Sequence, residues 1–362
     1  MTGHGGNIYE ASRQLKIPER KIIDFSASIN PLGTSKKVRS ELRRYLRHLP
    51  NYPDPDCIRL RWSLNKELNV PVEHILCGNG STEIIYLIVT ALKPKRTLLL
   101  APTFSEYERA IKINFNDVNF GSSPAAYIKY YGLKSEDNFA INVEEYIESM
   151  NGCDMAFLCN PNNPTGLLRS SEDIIRISKA ALLIGCRLIV DEAFIDFAHE
   201  QSVAAYVMDN PNLIVIRSLT KFYALSGLRI GYGVMPKDVI EEINKIKQPW
   251  TVNTLAQRAA VVALNDWVYR KKTFDLLGAE KTFLETHLFA NGIKFYPSDA
   301  NFILARCDHT ETIIQRLLLK GMIVRDCSNF RGLDKSFFRI AVKAHRENVM
   351  LVKTIYKTMK SV

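Results

Sequence analysis

The sequence of 362 residues lacks any apolar run long enough to cross a membrane. No stretch approaches the 18 or so consecutive apolar residues from which a spanning helix is recognised, so we expect no membrane partner. The first residues also lack the basic stretch followed by an apolar stretch that marks a signal peptide. We therefore expect no cleaved leader and a cytoplasmic location.

Closely spaced cysteines are also missing. The chain has seven cysteines but no CxxC pair, and its two closest, Cys153 and Cys159, are separated by five residues. An odd, scattered set is typical of reduced thiols and argues against a disulfide framework or a cysteine zinc site. We predict no metal site.

The charge is unbalanced, with a formal net charge of +10. The basic residues are spread along the chain, and "RSELRRYLRHL" at 39–49 is the only dense cluster. That cluster has a helical period and an apolar side, which predicts a solvated helix face rather than a nucleic-acid site. An excess of positive charge also attracts small anionic substrates, and we expect such a substrate rather than nucleic acid.

Two patterns divide the chain. Short apolar runs alternate with amphipathic helical patterns between about 75 and 235; the runs lie at 97–102, 155–161, 187–194, 212–218 and 230–235. Runs that are apolar on both faces and separated by helices predict an α/β fold with a largely parallel sheet. Long helical patterns at 238–247, 253–266 and 268–291 then lead to a smaller α+β domain. We predict an N-terminal arm (1–30) packed on the small domain, a large domain (31–240) and a small domain (241–362).

Polar residues follow directly after several predicted strands. They lie at 103–104, 160–166, 191–192 and 218–221. In an open α/β sheet the ligand crevice lies outside the carboxyl ends of the strands. These residues are therefore expected to converge on one site.

The stretch "SLTKFYALSGLRIGY" at 218–232 carries a lysine and an arginine out of an apolar strand. A lysine in a largely desolvated loop has a lowered pKa and can form an imine with an aldehyde, which suits Lys221. Ser218 and Arg229 add a hydroxyl and a guanidinium that suit a phosphate. The free amides at the start of the helix after "GNGSTE" (78–83) form a second phosphate cradle.

Two further residues suit a flat ring that carries a basic nitrogen. Asp191 can hold the protonated nitrogen, and Phe104 can stack on the ring. A phosphorylated aromatic aldehyde with a basic nitrogen meets all of these requirements, and pyridoxal 5′-phosphate is such a cofactor.

The motifs also resemble a known class of enzymes over essentially the whole chain. "NPNNPTG" (160–166), "DEAF" (191–194), "SLTKFYALSGLRIGY" and "FFRIAVK" (337–343) are similar, in order and spacing, to those of the aspartate-aminotransferase-like (fold type I) pyridoxal-phosphate enzymes. The resemblance implies a large domain with a mostly parallel seven-stranded sheet and a smaller α+β C-terminal domain.

Within that class the chain looks like the branch that contains threonine-phosphate decarboxylases and histidinol-phosphate aminotransferases. "GHGGNIYEAS" (3–12), "DFSASINPLG" (24–33) and "DEAFIDF" (191–197) favour the decarboxylases. Phe194 points the same way, because the aminotransferases usually have a tyrosine there. The resemblance implies decarboxylation of an O-phospho-amino acid for the aminoalcohol linker of cobalamin.

The resemblance also implies roles for single residues. Lys221 corresponds to the imine-forming lysine, Asp191 to the partner of the ring nitrogen, Asn163 to the partner of the O3′ oxygen and Phe104 to the stacking residue. The residues expected at the cofactor phosphate are Gly80, Ser81, Thr82, Ser218 and Arg229. Tyr52 corresponds to a tyrosine that reaches the phosphate from a neighbouring subunit, which implies a homodimer.

On the substrate side, His4, Gly5, Asn163, Arg325 and Arg339 correspond to positions that contact the substrate. Ser28 stands where an asparagine is expected, so the sequence leaves threonine phosphate and serine phosphate open as substrates. Two other functions stay open as well. One is histidinol-phosphate aminotransferase activity, and the other is a regulatory protein that senses the cofactor.

Overall fold

The computed structural model describes residues 5–115 and 127–361. The helices in these residues are α1 (Ile8–Leu15), α2 (Lys36–Tyr45), α3 (Ile58–Leu68), α4 (Ser81–Leu92), α5 (Glu106–Phe115), α6 (Val143–Ser149), α7 (Ser171–Leu183), α8 (Lys237–Asn244), α9 (Thr254–Leu264), α10 (Trp267–Ala290), α11 (Thr310–Leu319) and α12 (His345–Met359). The strands are β1 (Ile23–Asp24), β2 (Ile75–Gly78), β3 (Arg96–Ala101), β4 (Tyr127–Gly132), β5 (Met155–Cys159), β6 (Arg187–Asp191), β7 (Leu213–Ser218), β8 (Gly231–Val234), β9 (Lys294–Phe295), β10 (Phe302–Arg306), β11 (Met322–Ile323), β12 (Arg325–Asp326) and β13 (Phe337–Ala341).

Seven strands form the main sheet in the order β2-β8-β7-β6-β5-β3-β4. The pairs from β4 to β7 are all parallel, whereas β8 is antiparallel to both β7 and β2. The carboxyl ends of β3, β5, β6 and β7 therefore lie at one edge of the sheet. The predicted mostly parallel seven-stranded sheet is confirmed.

Both faces of this sheet are buried, as the apolar strand sequences predict. Alternate residues of one strand belong to different cores: Leu98 and Leu100 lie on one face, and Leu99 lies on the other. The first face is covered by α2, α3, α6, α7 and α9, and the second by α4, α5 and α8. The site at the sheet edge is thus supported by two packed layers of helices.

A four-stranded sheet, in the order β12-β13-β10-β9, packs with α10, α11 and α12 around a separate core. The N-terminal segment contacts this part of the chain, since β1 pairs in parallel with β11 and the Phe25 side chain lies in the same core. The amide of Ala341 also donates to the Phe25 carbonyl at 2.8 Å. The long helices predicted after residue 238 correspond to α8, α9 and α10.

Strands β2 and β4 correspond to none of the apolar runs in the sequence. Strand β2 has only four residues, and β4 is half-buried or exposed along its length with a lysine in its middle. Neither gives the longer buried pattern that marks the central strands. Within the described parts of the chain, no helix combines the length and apolar character needed to cross a membrane.

Candidate active site

A cavity of about 400 Å³ opens at the carboxyl ends of β5, β6 and β7. Its wall includes residues from the N-terminal segment, from the strand ends and from β12 and β13. Of the residues predicted for the site, those that line it are Gly5, Ser28, Ser81, Thr82, Phe104, Asn163, Asp191, Ser218, Lys221, Arg229, Arg325 and Arg339. The chain therefore brings together side chains that are more than 300 positions apart in the sequence.

Lys221 lies three residues beyond the end of β7 and faces the cavity. Its ammonium nitrogen lies 6.0 Å from the centre of the Phe194 ring. Burial lowers the pKa of Lys221 to about 8, and the positive charges of Arg339 and Arg229 act in the same direction. A neutral amine is the nucleophilic form, so this environment suits a lysine that attacks a carbonyl carbon.

Asp191 ends β6 and is almost fully buried. The Tyr107 hydroxyl donates a hydrogen bond of 2.6 Å to its Oδ2, and the Ala193 amide donates one of 2.9 Å to Oδ1. Burial raises the pKa of the Asp191 carboxyl, while these two hydrogen bonds and the charge of Lys221 oppose the rise. The residue is thus a buried carboxylate, fixed in orientation, that can accept a hydrogen bond from a cationic ring nitrogen.

The N-terminus of α4 supplies backbone amides without a side-chain cap. Gly80, which precedes the helix, has a φ of 81°, and a Cβ there would lie 2.5 Å from a guanidinium nitrogen of Arg229. A Cβ on Gly231 in β8 would lie 2.4 Å from the Ser81 nitrogen. Glycine at these two positions lets Arg229 and β8 approach the helix start, where free amides and the helix dipole favour an anion.

Ser218 and Arg229 flank the same helix start. The Ser218 hydroxyl lies 2.7 Å from the Thr220 hydroxyl, and both residues are buried at the cavity wall. Arg229 adopts a left-handed backbone conformation with φ 59° and donates to the Ser226 carbonyl at 3.3 Å. The combination of hydroxyls, amides and a guanidinium suits a phosphate group.

Asn163 and Arg339 contact each other across the cavity. An Arg339 Nη1 proton is donated to Asn163 Oδ1, and Nη2 donates to the Ser26 carbonyl at 3.0 Å. Because Oδ1 accepts from Arg339, the Asn163 amide nitrogen is left to donate to a ligand oxygen. Burial lowers the pKa of Arg339 to about 10.

Arg325 and Ser28 lie in the same wall as Arg339. Arg325 donates to Asn329 Oδ1 at 2.7 Å, and its guanidinium carbon lies 5.0 Å from the centre of the Phe330 ring. The Ser28 hydroxyl oxygen is buried without a hydrogen-bond partner in the described residues. This wall therefore combines two cations with one unsatisfied hydroxyl.

Three predicted site residues do not line this cavity. Gly80 contributes through its close approach to Arg229, as described above. Tyr52 is 80% exposed, and its ring packs against Trp250 with the ring centres 4.9 Å apart. His4 lies outside the described residues.

Sequence reasoning missed three residues that line the cavity from α5: Glu106, Tyr107 and Arg109. Glu106 is buried and accepts a hydrogen bond of 2.7 Å from the Tyr86 hydroxyl. An Arg109 guanidinium nitrogen lies 3.6 Å from a Glu106 carboxylate oxygen. These residues follow the Thr103–Phe104 turn directly, and that position was the available signal.

Comparison with known proteins identifies the family. Residues 20–355 match the family of class I and II aminotransferases. The chain belongs to this family. It is also 36% identical to the threonine-phosphate decarboxylase of Salmonella typhimurium over 366 aligned residues, which cover 100% of this chain and 98% of that protein. The predicted family is confirmed.

Two solved structures of the family are similar to the chain. The L-threonine-O-3-phosphate decarboxylase of Porphyromonas gingivalis superposes with a TM-score of 0.81 at 27% identity, over 94% of this chain and 100% of that one. The histidinol-phosphate aminotransferase of Clostridium acetobutylicum superposes with a TM-score of 0.86 at 29% identity, over the same shares of the two chains.

Pyridoxal 5′-phosphate is the cofactor of this class I and II aminotransferase family. The residues present fit the group. The uncapped amides at α4 suit a phosphate, the buried carboxylate of Asp191 suits a cationic ring nitrogen, and Lys221 supplies an amine of lowered pKa. The cofactor predicted from the sequence is confirmed at the level of the family.

Proposed function

We propose that the chain is a pyridoxal-phosphate-dependent decarboxylase of an O-phospho-L-amino acid. The substrate is L-threonine O-3-phosphate or L-serine O-phosphate, and the product is the aminoalcohol phosphate of the cobalamin linker. The observation that carries the proposal is that two pairs of basic side chains line one cavity, one pair for the cofactor and one for an anionic substrate. Lys221 and Arg229 line the cavity near the end of β7 and the start of α4, and Arg325 and Arg339 line it from β12 and β13. The similarity to the two decarboxylases supports it.

The cofactor side holds the ring and its phosphate. The residues proposed to bind the phosphate are Gly80, Ser81, Thr82, Ser218 and Arg229, and Asp191 keeps the ring nitrogen protonated. Phe104 stacks on the ring, and Asn163 donates to its O3′ oxygen. When bound, the cofactor supplies an electron sink for a bond that breaks at the substrate's α carbon.

The substrate side decides which bond breaks. A substrate bond is labile when it stands perpendicular to the cofactor ring, so the residues that hold the carboxylate and the phosphate select the reaction by position. Arg339 and Arg325 supply the positive charges for this, and His4, Gly5, Ser28 and Asn163 complete the proposed substrate-binding set. Lys221 or a water would donate a proton to the α carbon after CO₂ has left; Lys221 can do so as its ammonium form, which a pKa of about 8 keeps populated near neutral pH.

Histidinol-phosphate aminotransferase activity is the second candidate, because the Clostridium acetobutylicum enzyme has a closely similar fold. Phe194 weighs against it. This residue is almost fully buried at the cavity wall and has no hydroxyl to donate to the cofactor. A regulatory protein that senses the cofactor has less support, since residues 20–355 match a family of aminotransferases.

A homodimer in which Tyr52 reaches the neighbouring site forms part of the proposal. Tyr52 lies outside the cavity of its own chain and packs against the exposed Trp250. Other exposed apolar side chains precede and follow Tyr52 in the sequence; these are Leu46, Leu49, Ile58 and Trp62. A second copy of the chain is the proposed cover for the exposed Tyr52 and Trp250 rings.

Mixing two variants of reduced activity tests the shared site. Tyr52→Ala is expected to lower activity about tenfold by removing a phosphate contact. Mixed with Lys221→Ala subunits, it should regain activity, because one site of each mixed dimer then has both residues. Co-purification through a tag carried by only one of the two variants checks that mixed dimers form, and mixed dimers without restored activity would place Tyr52 outside the partner's site.

The product assay tests the proposed function directly. Purified protein, supplied with pyridoxal phosphate and carboxyl-labelled phosphothreonine or phosphoserine, should release labelled CO₂ and form the aminoalcohol phosphate. Lys221→Ala should lose the 420 nm absorbance and the borohydride-stable lysine adduct, and its rate should fall at least about a thousandfold, as for loss of a covalent catalyst.

Lys343→Ala is the matched control, because burial also lowers the pKa of this lysine although it does not line the cavity. It should keep the adduct. Label that stays in solution while 2-oxoglutarate supports amino exchange would favour the aminotransferase instead.

A further inference from the structure

Tyr107 is the residue outside the predicted set that makes the most direct contact with the cofactor machinery. It lies in the first turn of α5 and is fully buried. Its hydroxyl donates to Asp191 at 2.6 Å, in a cavity wall where Phe104 lies three residues earlier in the chain. The two residues proposed to hold the cofactor ring therefore both contact this tyrosine.

The position of the Tyr107 ring is fixed from two sides. It stacks on Phe157 of β5, with ring centres 4.8 Å apart and planes 15° apart. Phe104 packs edge-on against it, with centres 5.7 Å apart and planes at 83°. These two ring contacts fix the position of the phenol oxygen, which lies within hydrogen-bond distance of Asp191 and also near the Cys159 thiol.

The bond matters because Asp191 is buried. A carboxylate in an apolar setting prefers to be protonated, and a protonated acid cannot balance the charge of a pyridinium nitrogen. The hydrogen bond from Tyr107 favours the ionised form, and burial raises the pKa of the tyrosine itself well above its usual range, so the phenol stays the donor. The bond occupies one lone pair of Oδ2 and leaves others for the ring nitrogen.

We propose that Tyr107 is a positioning residue that holds Asp191 ionised and oriented toward the ring nitrogen, and that through Phe104 it also sets the face on which the ring stacks. This inference rests on the proposed use of pyridoxal phosphate. It assigns to the chain a contact between the start of α5 and the end of β6 that acts on the cofactor without touching it.

The binding of two cofactors, compared in the same variant, distinguishes this positioning role from a general structural role. Pyridoxal phosphate has the ring nitrogen, and its 1-deaza analogue has a carbon in the same place. In Tyr107→Phe the dissociation constant of pyridoxal phosphate should rise roughly tenfold, the effect of one charge-assisted hydrogen bond. The dissociation constant of the deaza analogue should change less than about twofold, because it has no charge for Asp191 to balance.

Tyr146→Phe is the matched control. Tyr146 is an equally buried tyrosine on the other face of the sheet, and its hydroxyl donates to the carbonyl of the same Phe157 at 3.2 Å. Its loss should leave both dissociation constants unchanged. Fluorescence titration of the cofactor-free protein measures all six values, and circular dichroism checks that each variant is folded.

The outcomes distinguish the two proposals. Equal weakening of both cofactors in Tyr107→Phe, or no weakening of either, would overturn the positioning role. Wild-type protein that binds neither compound would instead contradict the proposed function. An Asp191→Asn variant should remove the advantage of pyridoxal phosphate over its analogue, and adding Tyr107→Phe to it should then have no further effect on that advantage.

Discussion

The two walls of the cavity differ in how their polar groups are satisfied. On the cofactor side, the buried acid and the buried hydroxyl groups have partners within the chain. Asp191 accepts from Tyr107 and from a backbone amide, and Ser218 pairs with Thr220. A group that stays bound through every turnover is best held by residues that are already in place, because no ordering then has to occur when it binds.

The substrate wall, which contains Ser28, Arg325 and Arg339, has buried polar atoms that lack a hydrogen-bond partner within the described part of the chain. Arg339 has a buried Nε without a hydrogen-bond partner, and the Ser28 hydroxyl likewise has none, among the residues that the structure describes. Unsatisfied buried groups cost free energy in the empty protein. That cost is recovered when a ligand supplies the missing partners, so the difference between the walls indicates which ligand is resident and which is exchanged.

Among changes to the substrate wall, the largest effect should come from Arg339, which also contacts Asn163 on the cofactor side. Arg339→Gln should raise the KM for the phospho-amino acid roughly a hundredfold, because charge-assisted bonds to the substrate's anionic group are lost. The dissociation constant of pyridoxal phosphate should change less than about threefold. Steady-state kinetics and cofactor titration measure the two quantities.

Arg306→Gln serves as the control for that change. Arg306 lies in β10, the strand paired with β13, and stacks over Phe337 away from the cavity. It should leave both constants unchanged. If Arg339→Gln weakens the binding of cofactor and of substrate equally, the two walls do not bind their ligands independently. The proposed difference between the walls would then be wrong.

The same contrast explains which parts of the site the sequence reveals. Lys221, Asp191 and Ser218 follow strands whose apolar pattern is strong, so their place at the sheet edge could be predicted. Tyr107 could not, because a tyrosine near the start of an amphipathic helix has the pattern of an ordinary core residue. Only the packing of α5 against β5 and β6 shows that its hydroxyl reaches Asp191.

The substrate wall was less predictable for a different physical reason. Its residues come from the N-terminal segment and from β12 and β13, and no periodic pattern in the sequence relates these distant segments. Arg325 and Arg339 face each other as register partners across β12 and β13. Their convergence with Ser28 depends on how the N-terminal segment packs against these strands, and that packing is set by tertiary contacts such as β1 with β11.

Lys221 gives a second test, through stability. The pKa of Lys221 is 10.5 in the unfolded chain and about 8 in the folded protein. Below pH 8 the lysine is protonated in both states, and burial of its charge lowers the free energy of unfolding. Lys221→Met should therefore stabilise the cofactor-free protein at pH 7 by about 1–3 kcal/mol. The unfolded state binds more protons between pH 8 and 10.5, so the wild type gains stability as pH rises through this window and the difference shrinks.

Urea unfolding at pH 7 and at pH 10 measures that change in the free energy of unfolding. Lys335→Met, at an 80% exposed lysine, should alter it by less than about 0.5 kcal/mol at either pH. A Lys221→Met variant that is less stable than the wild type at pH 7 would contradict this prediction. It would mean that the packing of the lysine side chain stabilises the folded protein by more than burial of its charge destabilises it.

The smallest effect is expected at Ser28. It tests whether the unpaired hydroxyl of this residue binds the substrate. Removal of an unsatisfied hydroxyl should cost the empty protein nothing, so Ser28→Ala should leave the free energy of unfolding unchanged or raise it by up to about 1 kcal/mol. If the substrate forms a hydrogen bond with this hydroxyl, the KM of Ser28→Ala should be about threefold higher than that of the wild type, and the affinity for the cofactor should stay constant. A gain in stability without any change in KM would assign the unpaired hydroxyl to packing alone, and Arg339 and Arg325 would then carry the recognition.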